Sequence, residues 1–430
     1  MSIEDRVRAA TRARTDLVRS VRPLEFPAQA PAPARRDRSR RWLNWGAPIA
    51  AAALVTALAL TLALLRQADG PQPGQVTPAA SQTALTSIPR YYVALADAFS
   101  ANSQLKAVVG DDQTGRTVAV LNPSASQNFY GVTAAADDRT FVVMNYTAAT
   151  QETTWYLLRI APGTARPTQL TKLPIKPVVA HVAGLALSPD GRELAVMWRT
   201  ATTQTNAVTY LAVYSMASGA ALHTWITKGD NVNAIAGGGN GEGLAWVNGD
   251  RSVDFLWTVI TRPPHRSSTQ TIRRVDVSAP GGDLLADSRV AVRFPPTATA
   301  TKSIFSEPCG TSVIANDGTI ACGTVSFSDV SFQEVCSTVP PSFVTYSAVS
   351  GKRLKVLYQW HGQCLEAQAM PAWTDAGGRH VIAFLLLSEK GVKISLTDEW
   401  GLVANGRFTA LPKLVTGITN NVLNQGGLAF

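Results

Sequence analysis

Charge is scarce in this chain. Only 16% of its 430 residues are Asp, Glu, Lys or Arg and only 7% are aromatic, which argues against an architecture of long amphipathic helices with charged outer faces. Histidine is limited to His181, His223, His265, His361 and His380. None of them stands in an H-x-x-x-H or H-E-x-x-H pattern, so each reads as a surface or strand residue rather than a ligand. A G-x-S-x-G elbow, a P-loop and a G-x-G-x-x-G following a strand are all missing. The Gly-rich run AGGGNGEG (236–243) lacks the Lys and Ser/Thr that phosphate binding uses and reads as a loop. The Asp/Gly turns lack the alternating carboxylates of a calcium loop. The sequence therefore assigns no catalytic residue, no metal ligand and no cofactor.

What charge there is lies unevenly. Residues 1–41 hold eleven Arg against five acids, a net of +6 within a chain total of +9. The remainder is nearly neutral, which gives no reason to expect a basic nucleic-acid groove.

Ala47–Leu65 reads APIAAAALVTALALTLALL, nineteen residues without a charge, long enough as a helix to cross the hydrocarbon core of a bilayer. Trp42 and Trp45 stand at its start. Arg35, Arg36, Arg38, Arg40 and Arg41 precede it against a single Arg66 after it, a bias that keeps the N-terminus in the cytoplasm. The expected organisation is a cytoplasmic basic tail (1–41), a transmembrane helix (42–66), a flexible linker rich in Pro, Gly and Gln (67–88), and a large extracytoplasmic domain (89–430). Residues 47–65 would meet the lipid bilayer. A cleaved signal peptide is the competing reading, but the long region before the span argues against it.

Within the tail, Ser2-Ile3-Glu4-Asp5 has the form of a capping box, and Ile3, Val7, Ala10, Leu17 and Val21 fall near helical spacing up to Pro23. The short helix this predicts could dock a cytoplasmic partner through residues 2–22, lie on the inner leaflet, or only set topology. FPAQAPAPARR (26–36) reads as a Pro/Ala spacer.

Beyond residue 89 a pattern recurs: a small residue, an apolar run, a polar turn and a second apolar run. Five copies superpose, GVTAAADDRTFVVM (131–144), GLALSPDGRELAVMW (184–198), GLAWVNGDRSVDFLW (243–257), TSVIANDGTIACGTV (311–325) and PAWTDAGGRHVIAFLL (371–386). Their turns, Asp137-Asp138, Asp190-Gly191, Gly249-Asp250, Asp317-Gly318 and Gly377-Gly378, suit hairpins. A second hairpin follows each copy, in 154–173, 208–226, 271–292, 342–360 and 392–411. Each unit thus holds four strands, and the copies recur roughly every 60 residues, somewhat above the period of about 40 to 50 usual for propeller blades. YYVALAD (91–97), LKAVVGD (105–111) and TGRTVAVLNP (114–123) supply three more strands, and residues 414–430 could supply their missing partner, closing the ring between the two ends of the domain. The expected fold is all-β: a β-propeller of about six four-stranded blades, with seven the alternative, preceded by one transmembrane helix and a short cytoplasmic helix.

At SPDG (188–191) the chain resembles WD-type and TolB-like propeller repeats. Through PRYYVAL (89–95), VTAAADDRTFVV (132–143) and LALSPDGRELAV (185–196), behind an Arg-rich tail and one span, it also resembles membrane-anchored propeller proteins of actinobacteria. The resemblance implies a fold and a topology and brings no catalytic residue with it.

Cys309, Cys322, Cys336 and Cys364 all follow the span. An even number of cysteines in an oxidising compartment implies two disulfides. Three pairings are open, of which Cys309–Cys322 with Cys336–Cys364 is favoured. No C-x-x-C spacing supports a metal site.

These readings favour a non-enzymatic protein- or ligand-binding, sensory module at the cell membrane, with a protein partner outside the cell. The alternatives are an anti-sigma-like transmembrane regulator, although the tail lacks a His/Cys zinc motif, and a propeller hydrolase or lyase acting on envelope substrates.

Overall fold

The computed structural model describes residues 88–96, 104–161, 170–200, 207–229, 243–261, 267–295, 298–299, 304–328, 336, 339–362, 364, 366–389, 395–411 and 427–430, all within the unit Ala79–Phe430. The basic tail, the apolar span and all but the last residue of the linker lie outside the described residues. Among the described residues no helix is long and apolar enough to cross a membrane.

The domain is all-β. In chain order the strands begin with β1 (Tyr91–Ala96), β2 (Lys106–Asp111), β3 (Arg116–Leu121), β4 (Gln127–Ala134), β5 (Thr140–Thr147), β6 (Glu152–Arg159) and the short β7 (Thr171–Lys172) and β8 (Val178–Val179). Then come β9 (His181–Leu187), β10 (Glu193–Thr200), β11 (Ala207–Ser215), β12 (Ala221–Gly229), β13 (Leu244–Val247), β14 (Ser252–Thr261), β15 (Ser267–Asp276) and β16 (Arg289–Arg293). The last group is β17 (Ala298–Thr299), β18 (Ile304–Ile314), β19 (Thr319–Ser328), β20 (Ser342–Ser347), β21 (Arg353–Gln359), β22 (Glu366–Thr374), β23 (His380–Glu389), β24 (Ser395–Ala404), β25 (Arg407–Ala410) and β26 (Leu428–Ala429). Consecutive strands pair antiparallel in the orders β4-β5-β6-β7, β9-β10-β11-β12 and β13-β14-β15-β16. The first sheet runs β26-β1-β2-β3, so the strand near residue 430 completes the sheet that opens the domain.

The fifth and sixth units, β18 to β21 and β22 to β25, are fused into one sheet. β19 is ten residues long, and only its Thr319–Gly323 half faces β20. The free edge beyond pairs Val325 with Gln368 and Ser326 with Ala367 of β22. The sequence suggested separate units here; an unpaired strand edge next to another is the reason they join.

Side-chain packing shows how the sheets are arranged. The core falls into clusters that each bridge two consecutive units, and one of them joins the last to the first through Tyr92, Met370, Ile382, Trp400 and Phe430. The strand period of two sends alternate residues to opposite clusters. In β23, Val381, Ala383, Leu385 and Leu387 enter the cluster shared with the fifth unit, while Ile382, Phe384 and Leu386 enter the closing one. β5 and β10 divide their residues in the same way. This two-sided burial explains the unbroken apolar runs in the sequence, since each Leu, Ile or Phe so buried contributes about 1.5–3 kcal/mol relative to exposure. Sheets stacked face to face in cyclic order, with β26, β4, β9, β13, β18 and β22 in successive contact around the ring, form a propeller-type architecture. The outer strands β3, β21 and β25 are largely exposed and carry Arg116, Arg353, Lys355 and Arg407, charges that discourage edge-to-edge association.

Two disulfides, Cys309–Cys322 and Cys336–Cys364, staple the fifth unit. The first lies in the core shared with the fourth unit and the second in the core shared with the sixth. The connection from β15 to β16, expected as a plain hairpin, holds one helical turn, α1 (Leu284–Asp287). Asp283 caps it by accepting from the Leu285 and Ala286 amides, a cap that Asp supplies readily.

Candidate functional site: the central cavity

In four of the units the turn between the first two strands is built by a side chain that satisfies backbone donors. Asp137 Oδ1 accepts from the Arg139 and Thr140 amides, at 3.0 and 2.8 Å. Ser188 Oγ takes the Arg192 and Glu193 amides, Asp317 Oδ1 the Thr319 amide, and Asp375 Oδ1 the Arg379 and His380 amides. These are local Asx- and Ser-type turns, which gives the acids that recur there a structural role. Asp375 was not singled out by sequence, but it stands four residues before Arg379 as Ser188 stands four before Arg192, and that offset was the available signal.

The same turns lock neighbouring units together. The Arg90 amide donates to Asp138 Oδ2 at 2.8 Å, the Ala136 amide to the Pro189 carbonyl, the Asn248 amide to the Asn316 carbonyl, and the Gly377 amide to Asp317 Oδ2 at 2.7 Å. Lower in the ring, Trp246 Nε1 donates to the Ala186 carbonyl and Thr311 Oγ1 to the Ala369 carbonyl.

Inside the ring lies a cavity of about 810 Å³. Its wall takes one apolar residue or more from each innermost strand: Val132, Leu185, Trp246, Ile314, Met370 and Leu428. Among the described residues lining it, the ionisable ones are Asp138, Asp190, Asp250, Asp317 and Asp375. Every one belongs to a hairpin turn, so the walls are apolar and the mouth at the turn end is carboxylate. Of the residues the sequence pointed to, Asp138, Asp190, Gly249, Asp250 and Asp317 line the cavity. Asp137, Gly191, Gly318, Gly377 and Gly378 shape the turns without lining it, and the four cysteines lie away from it.

Most of the lining carboxylates are already engaged. Asp138 lies 3.8 Å from Arg139 Nε, Asp190 3.4 Å from Arg192 Nε, and Asp375 2.8 Å from His380 Nδ1. Asp317 accepts from the Thr319 and Gly377 amides and from Thr319 Oγ1. Asp250 takes no hydrogen bond and no ion pair from any described residue, and its Oδ1 is shut off from solvent without a partner. Burial, and then the charge of Asp190, push its carboxyl above the ordinary range. Burial also raises Glu193, followed by Asp190, while His223 acts in the opposite direction before Asp250 raises it again. Deeper in, Ser312 lines the cavity at 1% exposure and its hydroxyl has no partner among the described residues. Sequence reasoning missed Ser312 and Trp246, because which face of an inner strand meets the cavity follows from the packing of the ring. Among the described residues no three His, Cys, Asp or Glu stand together as a metal-holding group.

No family model matches the chain, and no curated protein does. Solved structures similar to it include the periplasmic gluconolactonase PpgL of Pseudomonas aeruginosa, at 12% identity and a TM-score of 0.38, covering 75% of this chain and 98% of that one. The β-propeller domain of the Trilobed protease of Pyrococcus furiosus, described as having an open velcro topology, matches at 9% identity and a TM-score of 0.37 over 74% and 93% of the two chains. An uncharacterised protein from Listeria monocytogenes matches at 10% identity and a TM-score of 0.35 over 67% and 83%. The architecture of this chain rests on its own strand pairing and packing.

Proposed function

We propose that this chain is a membrane-anchored, extracytoplasmic propeller of six blades that works by binding a ligand or a partner in its central cavity and carries out no reaction there. The observation that carries this reading is the cavity itself: apolar residues drawn from every inner strand, and a turn end whose ionisable groups among the described residues are all carboxylates. Apolar concave sites with a few convergent polar groups are the usual form of a binding pocket. The anchor and its orientation rest on the uncharged run 47–65 and the arginines before it.

Native mass spectrometry of the full-length chain and of the cavity-filling variant Ala245→Trp tests the reading. A co-purifying mass lost in the variant supports it; the same mass retained on both places the ligand elsewhere and overturns it. Whether the tail also passes a signal is answered by comparing cross-linked partners of the full chain with those of a chain lacking residues 1–41. A cytoplasmic regulator captured only by the full chain would support the anti-sigma-like version.

One observation favours a second reading. Burial, and then the charge of Asp190, raise the Asp250 carboxyl so that it holds its proton more readily than an ordinary one, as a hydrolase or lyase asks of a general acid. Turnover of an envelope polymer that disappears in Asp250→Asn would replace binding with catalysis.

A further inference from the structure

The binding reading leaves the chemistry of the ligand open, and the inference drawn here rests on that reading. We infer that the cavity takes a cationic amphiphile, a primary ammonium or guanidinium group on an apolar body, with the cation against Asp250 at the turn end of the ring and the body against the walls. A peptide side chain or a small amine would both present this chemistry.

Independent observations converge on it. The ionisable lining among the described residues is entirely Asp, so no lining cation attracts an anionic ligand. Within that lining Asp250 lacks any counter-ion or donor, whereas Arg139, Arg192 and His380 already sit beside Asp138, Asp190 and Asp375. A carboxylate left unpaired in a partly closed site costs free energy that an incoming cation recovers. Glu193 and Asp250 crowd against Asp190, and burial followed by its charge raises both carboxyls, which works in the same direction. The buried, unpartnered Ser312 hydroxyl adds a polar group further inside the same cavity, available to a donor or acceptor on the ligand. Trp373, Val313 and Leu428, half-buried residues of the same lining, supply apolar surface for the remainder.

The probes are 4-phenylbutylammonium, 4-phenylbutanol and 4-phenylbutyrate, which share one apolar body and differ in charge, titrated calorimetrically into the full-length chain. The expected result is saturable binding of the ammonium at least tenfold tighter than of the other two. Asp250→Asn should weaken ammonium binding at least fivefold and leave the alcohol unchanged. Asparagine keeps the shape and tolerates the left-handed backbone that Asp250 adopts, φ +67°, so an unchanged melting temperature verifies folding of the variant. Asp287→Asn, outside the cavity lining, should change nothing. If the three probes bind alike, or none binds although a native mass is lost in Ala245→Trp, the cationic assignment is overturned while the cavity remains the binding site. If none binds and no native mass depends on the cavity, both readings fall.

Discussion

Asp254 and Arg274 stand directly opposite each other across β14 and β15 and are joined by two parallel hydrogen bonds, Nε to Oδ1 at 2.6 Å and Nη2 to Oδ2 at 2.7 Å. Both side chains are buried, at 0% and 4% exposure, and Arg274 reaches toward the turn at Gly318 in the next unit. Asp254→Ala leaves a buried guanidinium without its counter-charge and should cost about 3–5 kcal/mol, whereas replacing both residues by leucine should cost far less. Urea denaturation of the single and double variants decides the matter; equal losses would mean that the pair is not what holds this site.

Asp112 should make stability depend on pH. It is 5% exposed, its Oδ1 has no partner among the described residues, and burial, aided by the neighbouring Asp111, raises its carboxyl to about 6. A raised folded-state value means the folded protein holds the proton more tightly than the unfolded chain. The contribution is therefore complete below the ordinary carboxylate value and is lost as pH rises through about 6. Asp112→Asn should be neutral near pH 4 and stabilising at pH 7.5, by up to about 3 kcal/mol at about 1.4 kcal/mol per unit. A variant whose advantage does not grow over that range would contradict the burial argument.

Two turn glycines should respond differently to alanine. Both have positive φ, +61° at Gly249 and +60° at Gly378. A Cβ at Gly249 meets nothing, whereas one at Gly378 would fall 2.7 Å from Thr319 and 2.8 Å from Thr345. Gly249→Ala should cost about 1–2 kcal/mol for the backbone alone, and Gly378→Ala measurably more. Thermal melts of the two variants give the comparison.

Ring closure depends on Phe430. Its ring stacks on Trp400 at 5.8 Å and tilts against Tyr92 at 5.9 Å, joining the sixth unit to the first. Phe430→Ala should destabilise by about 3–5 kcal/mol, as large core truncations do, and hydrogen exchange should show faster opening of β1 and β26 than of β10. Uniform acceleration throughout the domain would mean that closure is not a local event.

The strands and hairpins of this domain were legible in the sequence because their causes are local. A turn needs Asp, Asn or Gly at fixed offsets, and a strand buried on both faces needs an unbroken apolar run such as HVIAFLLL. The three-strand opening unit with its partner near residue 430 could be inferred by counting strands, whereas three disulfide pairings stayed open in the sequence and the structure forms the favoured one. The fusion of β19 with β22, the turn of helix after Asp283, the Asp254–Arg274 pair and the unpartnered Asp250 and Ser312 were not legible. Each depends on which residues from distant units meet, and that is decided by sheet stacking around the ring. The sequence alone thus determined which segments become strands and where they turn. Only the tertiary structure decided which carboxylates enclose the cavity and which of them lacks a partner, because burial and pairing are properties of contacts made between units, far apart along the chain.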